Sequence, residues 1–368
     1  MKEETGDETV LDVLERRGLT RRAFLQVCAA VTSALALSPA EAARITQVLA
    51  SKPRPTVIYL SYQECTGCLE SLTRSFSPGI ASLIFNDISL AFNDTLQAAA
   101  GEAAEEAKDS AMKKAWGKYV LIVDGAVPLA ENGAYCTVAG RSAVSDLRHA
   151  ASGAAAVVAV GTCASFGGLP YAAPNPTGAV PVSEIVRDRP IINVSGCPPI
   201  AEVITGVIIY YTTFGLPALD RLHRPMSFYG NSIHDRCYRR PFYDRGMFAK
   251  TFDDEGARQG WCLYELGCKG PVTHNACPTM KWNGGTSYPI ESGHPCLGCS
   301  EPDFWDKGGF YRPLSVPTGH WSRAGVMGAA AAAGVVAGLG AAVAARVRQD
   351  RTHKPDAGGD TNQKTPKS

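Results

Sequence analysis

Ala155-Ala156-Val157-Val158-Ala159-Val160-Gly161-Thr162-Cys163 is the stretch that decides the fold class. An unbroken run of small and β-branched apolar residues suits a strand covered on both faces. The run stops at a glycine just before a cysteine. The pattern recurs on either side. Thr56-Val57-Ile58-Tyr59-Leu60 leads to Gln63-Glu64-Cys65, and Ile191-Ile192-Asn193-Val194 leads to Ser195-Gly196-Cys197. Tyr119-Val120-Leu121-Ile122-Val123 is a further run and ends at Asp124-Gly125. Helical stretches separate these runs, so the reading is an α/β fold with a parallel sheet. In open α/β sheets the working site lies beyond the carboxyl ends of the strands, and most of these runs deliver a cysteine there. Ala98 to Met112, rich in Ala, Glu and Lys, reads as an exposed helix with a solvated surface.

The chain has 368 residues, 45% of them hydrophobic, which is enough for one large domain or two ordinary ones. A net charge of +1 gives no basic excess, so no nucleic-acid partner is expected. Past about residue 222 strand-like runs become scarce while Cys, His, Gly, Pro and Trp become dense. Such a segment buries little aliphatic surface, and metal ligation could supply the missing stability. A boundary therefore falls near 215–225, giving domains at 43–220 and 221–315.

The chain carries 12 cysteines, and most of them fall into groups. Cys65-Thr66-Gly67-Cys68 alone could be redox-active, zinc-binding or iron–sulfur. Cys163 and Cys197 end two other strands of the same sheet. Four thiolates at one sheet edge fit a cubane cluster, and Gly67, Gly161 and Gly196 let backbone approach it closely. Paired disulfides are the alternative. The second group is His234-Asp235-Arg236-Cys237 with Trp261-Cys262 and Gly267-Cys268. One imidazole and three thiolates suit zinc as well as iron–sulfur. The third group is Cys277, Cys296 and Cys299, a set for a three-iron cluster, or for a four-iron cluster with another ligand. His274 and His294 lie nearby and read as hydrogen-bonding neighbours. Cys136 has no cysteine near it in sequence and reads as a small buried apolar residue. Cys28 lies in the amino-terminal segment.

Both ends differ from the middle. Thr20-Arg21-Arg22-Ala23-Phe24-Leu25, the apolar run Val27 to Leu37, and Ala40-Glu41-Ala42 read in order as a twin-arginine export signal over 1–42. Ala324 to Ala345 is uncharged and rich in Ala, Gly and Val. As a helix it would span roughly 33 Å, enough for a bilayer core. Arg346, Arg348, Arg351 and Lys354 follow, so 346–368 is expected on the cytoplasmic side and the body outside.

Taken together and in this order, these segments resemble the small subunit of nickel–iron hydrogenases from about Val57 to Tyr311. The carrying residues are Glu64 to Cys68, Gly161 to Gly168, Pro174 to Ala179, Gly196 to Pro199, His234 to Cys237, Gly260 to Tyr264, Gly267 to Pro271 and Gly293 to Pro302. The resemblance implies a flavodoxin-like amino-terminal domain and an irregular iron–sulfur-binding carboxyl-terminal domain. It implies a proximal 4Fe–4S cluster on Cys65, Cys68, Cys163 and Cys197. It implies a distal 4Fe–4S cluster on His234, Cys237, Cys262 and Cys268, and a medial 3Fe–4S cluster on Cys277, Cys296 and Cys299. Pro289 stands where family members with a three-iron cluster carry proline in place of a fourth cysteine. Oxygen-tolerant relatives carry two extra cysteines where this chain has Gly67 and Gly168, so a standard cubane and oxygen sensitivity are expected.

The resemblance also implies a nickel-bearing large subunit that splits dihydrogen, with this chain as the electron relay. The chain lacks the paired C-x-x-C motifs that hold nickel, so no catalytic residue is expected in it. Glu64 is a candidate for moving protons beside the proximal group, or a cap for the cysteine loop. A cytochrome b or another quinone-reducing membrane protein is the expected acceptor, the carboxyl-terminal helix the anchor, and the periplasmic face of the cell membrane the location. A free-standing multi-cluster carrier, a related quinone-oxidoreductase subunit lacking the second and third groups, and a zinc protein are the competing readings.

Overall fold

The computed structural model describes residues 29, 38–51, 54–306 and 310–314. Most of the expected signal, including Cys28, and the whole of 324–345 and 346–368 lie outside them. Among the described residues no helix is long and apolar enough to cross a membrane.

Five parallel strands form the central sheet: β1 (Thr56–Ser61), β2 (Ser89–Asn93), β3 (Val120–Asp124), β4 (Ala156–Val160) and β5 (Ile191–Val194). Their spatial order is β2-β1-β3-β4-β5, the doubly wound order typical of flavodoxin-like folds. All the runs read as strands are present. The edge strand β2 escapes a reading by pattern, because Ser89-Leu90-Ala91-Phe92-Asn93 is short and polar at both ends.

Six helices matter to the site: α1 (Pro39–Ser51), α2 (Gly67–Thr73), α3 (Gly101–Lys114), α4 (Ala143–Ser152), α5 (Gly161–Phe166) and α6 (Ala201–Phe214). Successive strand residues point to opposite faces, and two apolar layers result. Val57, Tyr59, Val120, Ile122, Val158 and Ile192 pack with Leu69 and Leu72 of α2 and Val203, Ile204 and Val207 of α6. Ile58, Leu60, Leu121, Val123 and Val157 pack with Met112 of α3 and Leu147 and Ala150 of α4. The expected cleavage point after Ala42 falls in the first turn of α1. There Ser38 donates its backbone N–H and hydroxyl to Glu41, and Arg44 lies 5.2 Å over the Phe214 ring.

Helix α3 is largely exposed, as expected, but it also has an inward face. Ala104, Lys108 and Met112, spaced by four, form a buried stripe facing the sheet. The Lys108 ammonium is fully buried, 2.7 Å from Glu105 and 3.0 Å from Asp146, and 4.8 Å from the Phe92 ring centre. Tyr62 donates its hydroxyl to the other Asp146 oxygen at 3.2 Å. A lysine in the stripe hides its apolar face from a composition-based reading.

Beyond α6 the chain proceeds through short turns, and its apolar residues join the first layer. Phe228, Tyr229, Ile233, Leu263, Tyr288 and Ile290 belong to the same buried cluster as the sheet residues. The described residues up to Leu314 belong to one compact unit.

Candidate functional site

Register puts the carboxyl ends of four strands level. Ser61 pairs with Asp124, Asp124 with Val160, and Val160 with Val194. The loops that follow therefore start side by side and carry Cys65, Cys68, Cys163 and Cys197 to one edge. Burial raises the Cys68 thiol, and Asp124, Cys163 and Cys197 raise it further. Cys163 is pushed up to about 12 by burial and then by Cys197, with Cys65 adding to it. Cys197 is pushed up to about 11 by burial, then by Cys299 and Cys65. Four thiols thus crowd one another without a compensating cation, which is the setting that a bound metal centre reverses by taking thiolates as ligands.

Glycines make room for those sulfurs. A Cβ on Gly161, whose φ is +85°, would collide with Cys68 Sγ. One on Gly168, with φ +58°, would lie 2.5 Å from Cys163 Sγ. Asp124 is fully buried behind this group. One of its oxygens accepts from the Tyr59 hydroxyl at 3.4 Å and the other has no hydrogen-bond partner. Glu64 accepts from Thr66 at 3.3 Å through one oxygen, while its other oxygen is buried and unpartnered.

The third group surrounds a cavity of about 90 Å³ lined by Cys277, Cys296, Cys299 and Cys197 with Trp282, Tyr288, Pro289 and Ile290. Water needs several polar partners in such a space, and sulfur and hydrocarbon offer few. Pro289 occupies this wall as the family pattern implied. Cys277 is pushed up to about 12 by burial and then by Cys299, and Cys296 is raised by burial and by Cys268, Cys299 and Cys277. His294 also borders the cavity. Its Nδ1 is 2.8 Å from Pro295 O and its Nε2 3.1 Å from the Tyr311 hydroxyl, so both ring nitrogens are committed. His274 lies 3.5 Å from Glu301.

In the second group, Cys262 is pushed up to about 11 by burial, with Cys268 and Cys237 adding to it. A Cβ on Gly270 would sit 3.4 Å from Cys268 Sγ and 3.8 Å from the His234 backbone nitrogen. The His234 ring packs edge-on to Tyr243 at 4.6 Å. Burial, then Arg240, lowers its pKa and favours the neutral imidazole that a metal requires.

The groups adjoin in a fixed order. Cys197 of the first borders the cavity of the third. The Cys296 backbone N–H of the third donates to Cys268 Sγ of the second at 3.4 Å. Among the described residues every cysteine is a free thiol, and no three His, Cys, Asp or Glu groups converge to hold a single metal ion. Around the third group the thiols line a cavity, with room for a multi-atom group.

Comparison with known proteins gives the family. Residues 229–312 match the family model for the carboxyl-terminal part of the NiFe/NiFeSe hydrogenase small subunit. Residues 65–211 match that of the NADH ubiquinone oxidoreductase 20 kDa subunit. The uptake hydrogenase small subunit of Azotobacter vinelandii is 52% identical over 341 residues, covering 92% of this chain and 94% of that one. The hydrogenase-1 small chain of Citrobacter freundii is 47% identical, covering 95% and 94%. The chain belongs to the nickel–iron hydrogenase small-subunit family. Among solved structures, the [NiFeSe] hydrogenase of Desulfovibrio vulgaris Hildenborough superposes with TM-score 0.66 at 38% identity, covering 70% of this chain and 98% of that one.

For this hydrogenase small subunit the quinone-oxidoreductase reading accounts for the first group alone, since its match ends before the second. Cys136 packs against the second apolar layer of the sheet, and burial raises its thiol. Sequence reasoning missed Asp124, Trp282 and Tyr288. Asp124 had a signal in its place at a strand end. The other two had none, because their role depends on where a loop turns.

Proposed function

We propose that this small subunit relays electrons, released by dihydrogen oxidation in a large subunit, through three iron–sulfur clusters to a membrane acceptor. The observation that carries the reading is the continuity of the thiol groups: Cys197 beside the third cavity, and Cys296 N–H on Cys268 Sγ. Cys65, Cys68, Cys163 and Cys197 would hold the proximal 4Fe–4S cluster. Cys277, Cys296 and Cys299 would hold the medial 3Fe–4S cluster, with Pro289 where another thiolate would stand. His234, Cys237, Cys262 and Cys268 would hold the distal 4Fe–4S cluster. When bound, such clusters supply one-electron storage at potentials set by ligands, hydrogen bonds and exposure.

The residues of the chain supply the rest. The level strand ends fix the spacing of the first thiolates, and the apolar walls of the third cavity exclude water. Thr162 ties the first group to the third by donating to Cys299 O and accepting from Gly196 N. Leu169 and Tyr171 stand exposed one and three residues beyond Gly168, and Leu129 is exposed as well. Apolar side chains bared beside the first group favour a docked large subunit over a free-standing carrier. The export signal at 1–42, the span at 324–345 and its basic flank support a membrane-anchored body on the periplasmic face. They also support delivery of electrons to quinone through a cytochrome b or similar protein.

Purification of the tagged chain tests the whole reading. A nickel-containing large subunit, iron with acid-labile sulfide, and hydrogen-dependent dye reduction are expected in the membrane fraction. A chain that purifies alone with zinc and no sulfide would overturn it.

A further inference from the structure

Two polar side chains in the wall of the third cavity have no oxygen or nitrogen to bind. The indole N–H of Trp282 and the hydroxyl of Tyr288 are both buried and unpartnered. Burying such a group without a partner is costly, so each calls for an explanation. Each instead lies beside a thiol. Trp282 faces Cys277 of the third group, beside which it lines the cavity. Tyr288 faces Cys237 of the second group.

The backbone shows that the indole is aimed. Lys281 and Asn283, on either side of Trp282, adopt φ values of +56° and +50°. Left-handed conformations on non-glycine residues cost energy and persist only where surrounding structure requires them. Trp282 N donates to Ser287 O at 2.8 Å and Thr286 N to Trp282 O at 2.9 Å, closing the loop that holds the ring. Tyr288 follows at once, ahead of Pro289, and is 4% exposed. One short segment thus presents one donor to the third group and one to the second.

We propose that Trp282 and Tyr288 are hydrogen-bond donors to the cluster sulfurs, Trp282 to Cys277 and Tyr288 to Cys237. They would set the reduction potentials of the medial and distal centres separately. This rests on the cluster reading above. A donor to a thiolate stabilises the more negative, reduced state. Its loss therefore lowers the potential of its own centre and leaves the neighbouring one in place. Neither residue touches dihydrogen or nickel, so both are positioning residues.

The test is an EPR-monitored redox titration of the purified large–small complex carrying Trp282→Phe or Tyr288→Phe. For Trp282→Phe the medial midpoint should fall by up to a tenfold change in the one-electron reduction constant, about 59 mV, with the distal midpoint unmoved. Tyr288→Phe should do the reverse. Unchanged midpoints with full iron and sulfide content would overturn the proposal, as would equal shifts at both centres. If either variant loses its cluster, pulsed ENDOR on the unaltered complex in H₂O and D₂O decides. A strongly coupled exchangeable proton at the medial centre is expected, and its absence refutes the Trp282 assignment. An unaltered complex with no medial or distal signal would instead sink the cluster reading itself.

Discussion

Gly67 and Gly168, the two positions where the resemblance places extra cysteines in oxygen-tolerant relatives, both abut sulfur. A Cβ on Gly67 would lie 3.2 Å from Cys65 Sγ, and one on Gly168 would lie 2.5 Å from Cys163 Sγ at a φ of +58°. At these two positions the backbone itself takes the space beside the first group, where a side chain would press on a sulfur. Film voltammetry of the complex should show hydrogen-oxidation current collapsing during an oxygen pulse, and sustained current would contradict this. Asp87 makes a second case. It closes the π-helical turn Leu83–Asp87, is buried, and neither carboxylate oxygen has a partner. Burial raises its pKa to about 7. The unfolded chain gives up this proton near pH 4, whereas the folded one keeps it until about pH 7. Stability should therefore decline from about pH 4 to pH 7 and level off above. The limiting cost is on the order of 4 kcal/mol at about 1.4 kcal/mol per unit. Asp87→Asn should remove that slope and raise the midpoint of thermal unfolding at pH 8 but not at pH 4.

Among the elements, α3 carries the most consequential buried charge. Lys108 meets Glu105 and Asp146 with no exposure to water. Removing one partner of a buried pair leaves the other charged and unsolvated, a loss of about 3–5 kcal/mol. Lys108→Met should destabilise the complex by that order in urea titration. Adding Asp146→Asn should restore part of it, and additive losses would refute the coupling. The same helix shows where sequence reading fails. The strands and their cysteine endings were legible because apolar runs and punctuating glycines are local features. The order of the cysteine motifs along the chain was legible in the same way. The inward face of α3 was not, because Lys108 interrupts the apolar stripe and its burial depends on Asp146 from another helix. Trp282 and Tyr288 escaped notice for the same reason, since which sulfur a side chain faces is a tertiary property. The metal in the second group was open from spacing alone, because zinc and iron–sulfur clusters accept the same ligands.

For the whole molecule, the question is how an irregular carboxyl-terminal segment keeps its thiols in line with those of a rigid sheet. Arg224 supplies the strongest tie. Its side chain is buried and binds Asp220 at 2.8 Å, Glu301 at 2.9 Å and Ser300 O at 3.2 Å. Glu301 in turn accepts the His274 backbone N–H at 2.6 Å. Ser195, two residues before Cys197, donates its hydroxyl to Ser300 O at 2.8 Å, and the Tyr229 hydroxyl donates to Ser195 O at 2.7 Å. Ser300 is the neighbour of Cys299, so these bonds join the first and third groups within two residues of Cys197 and Cys299. With the apolar layer shared between sheet and carboxyl-terminal segment, this network should make the molecule melt as one unit. Arg224→Met would leave Asp220 and Glu301 facing each other without their cation. Heating the complex while following proximal and medial EPR signals should show both lost together at a lower temperature than in the unaltered protein. Loss of the medial signal alone, with the proximal one persisting, would mean that the segments are held independently and that the shared core does not couple them.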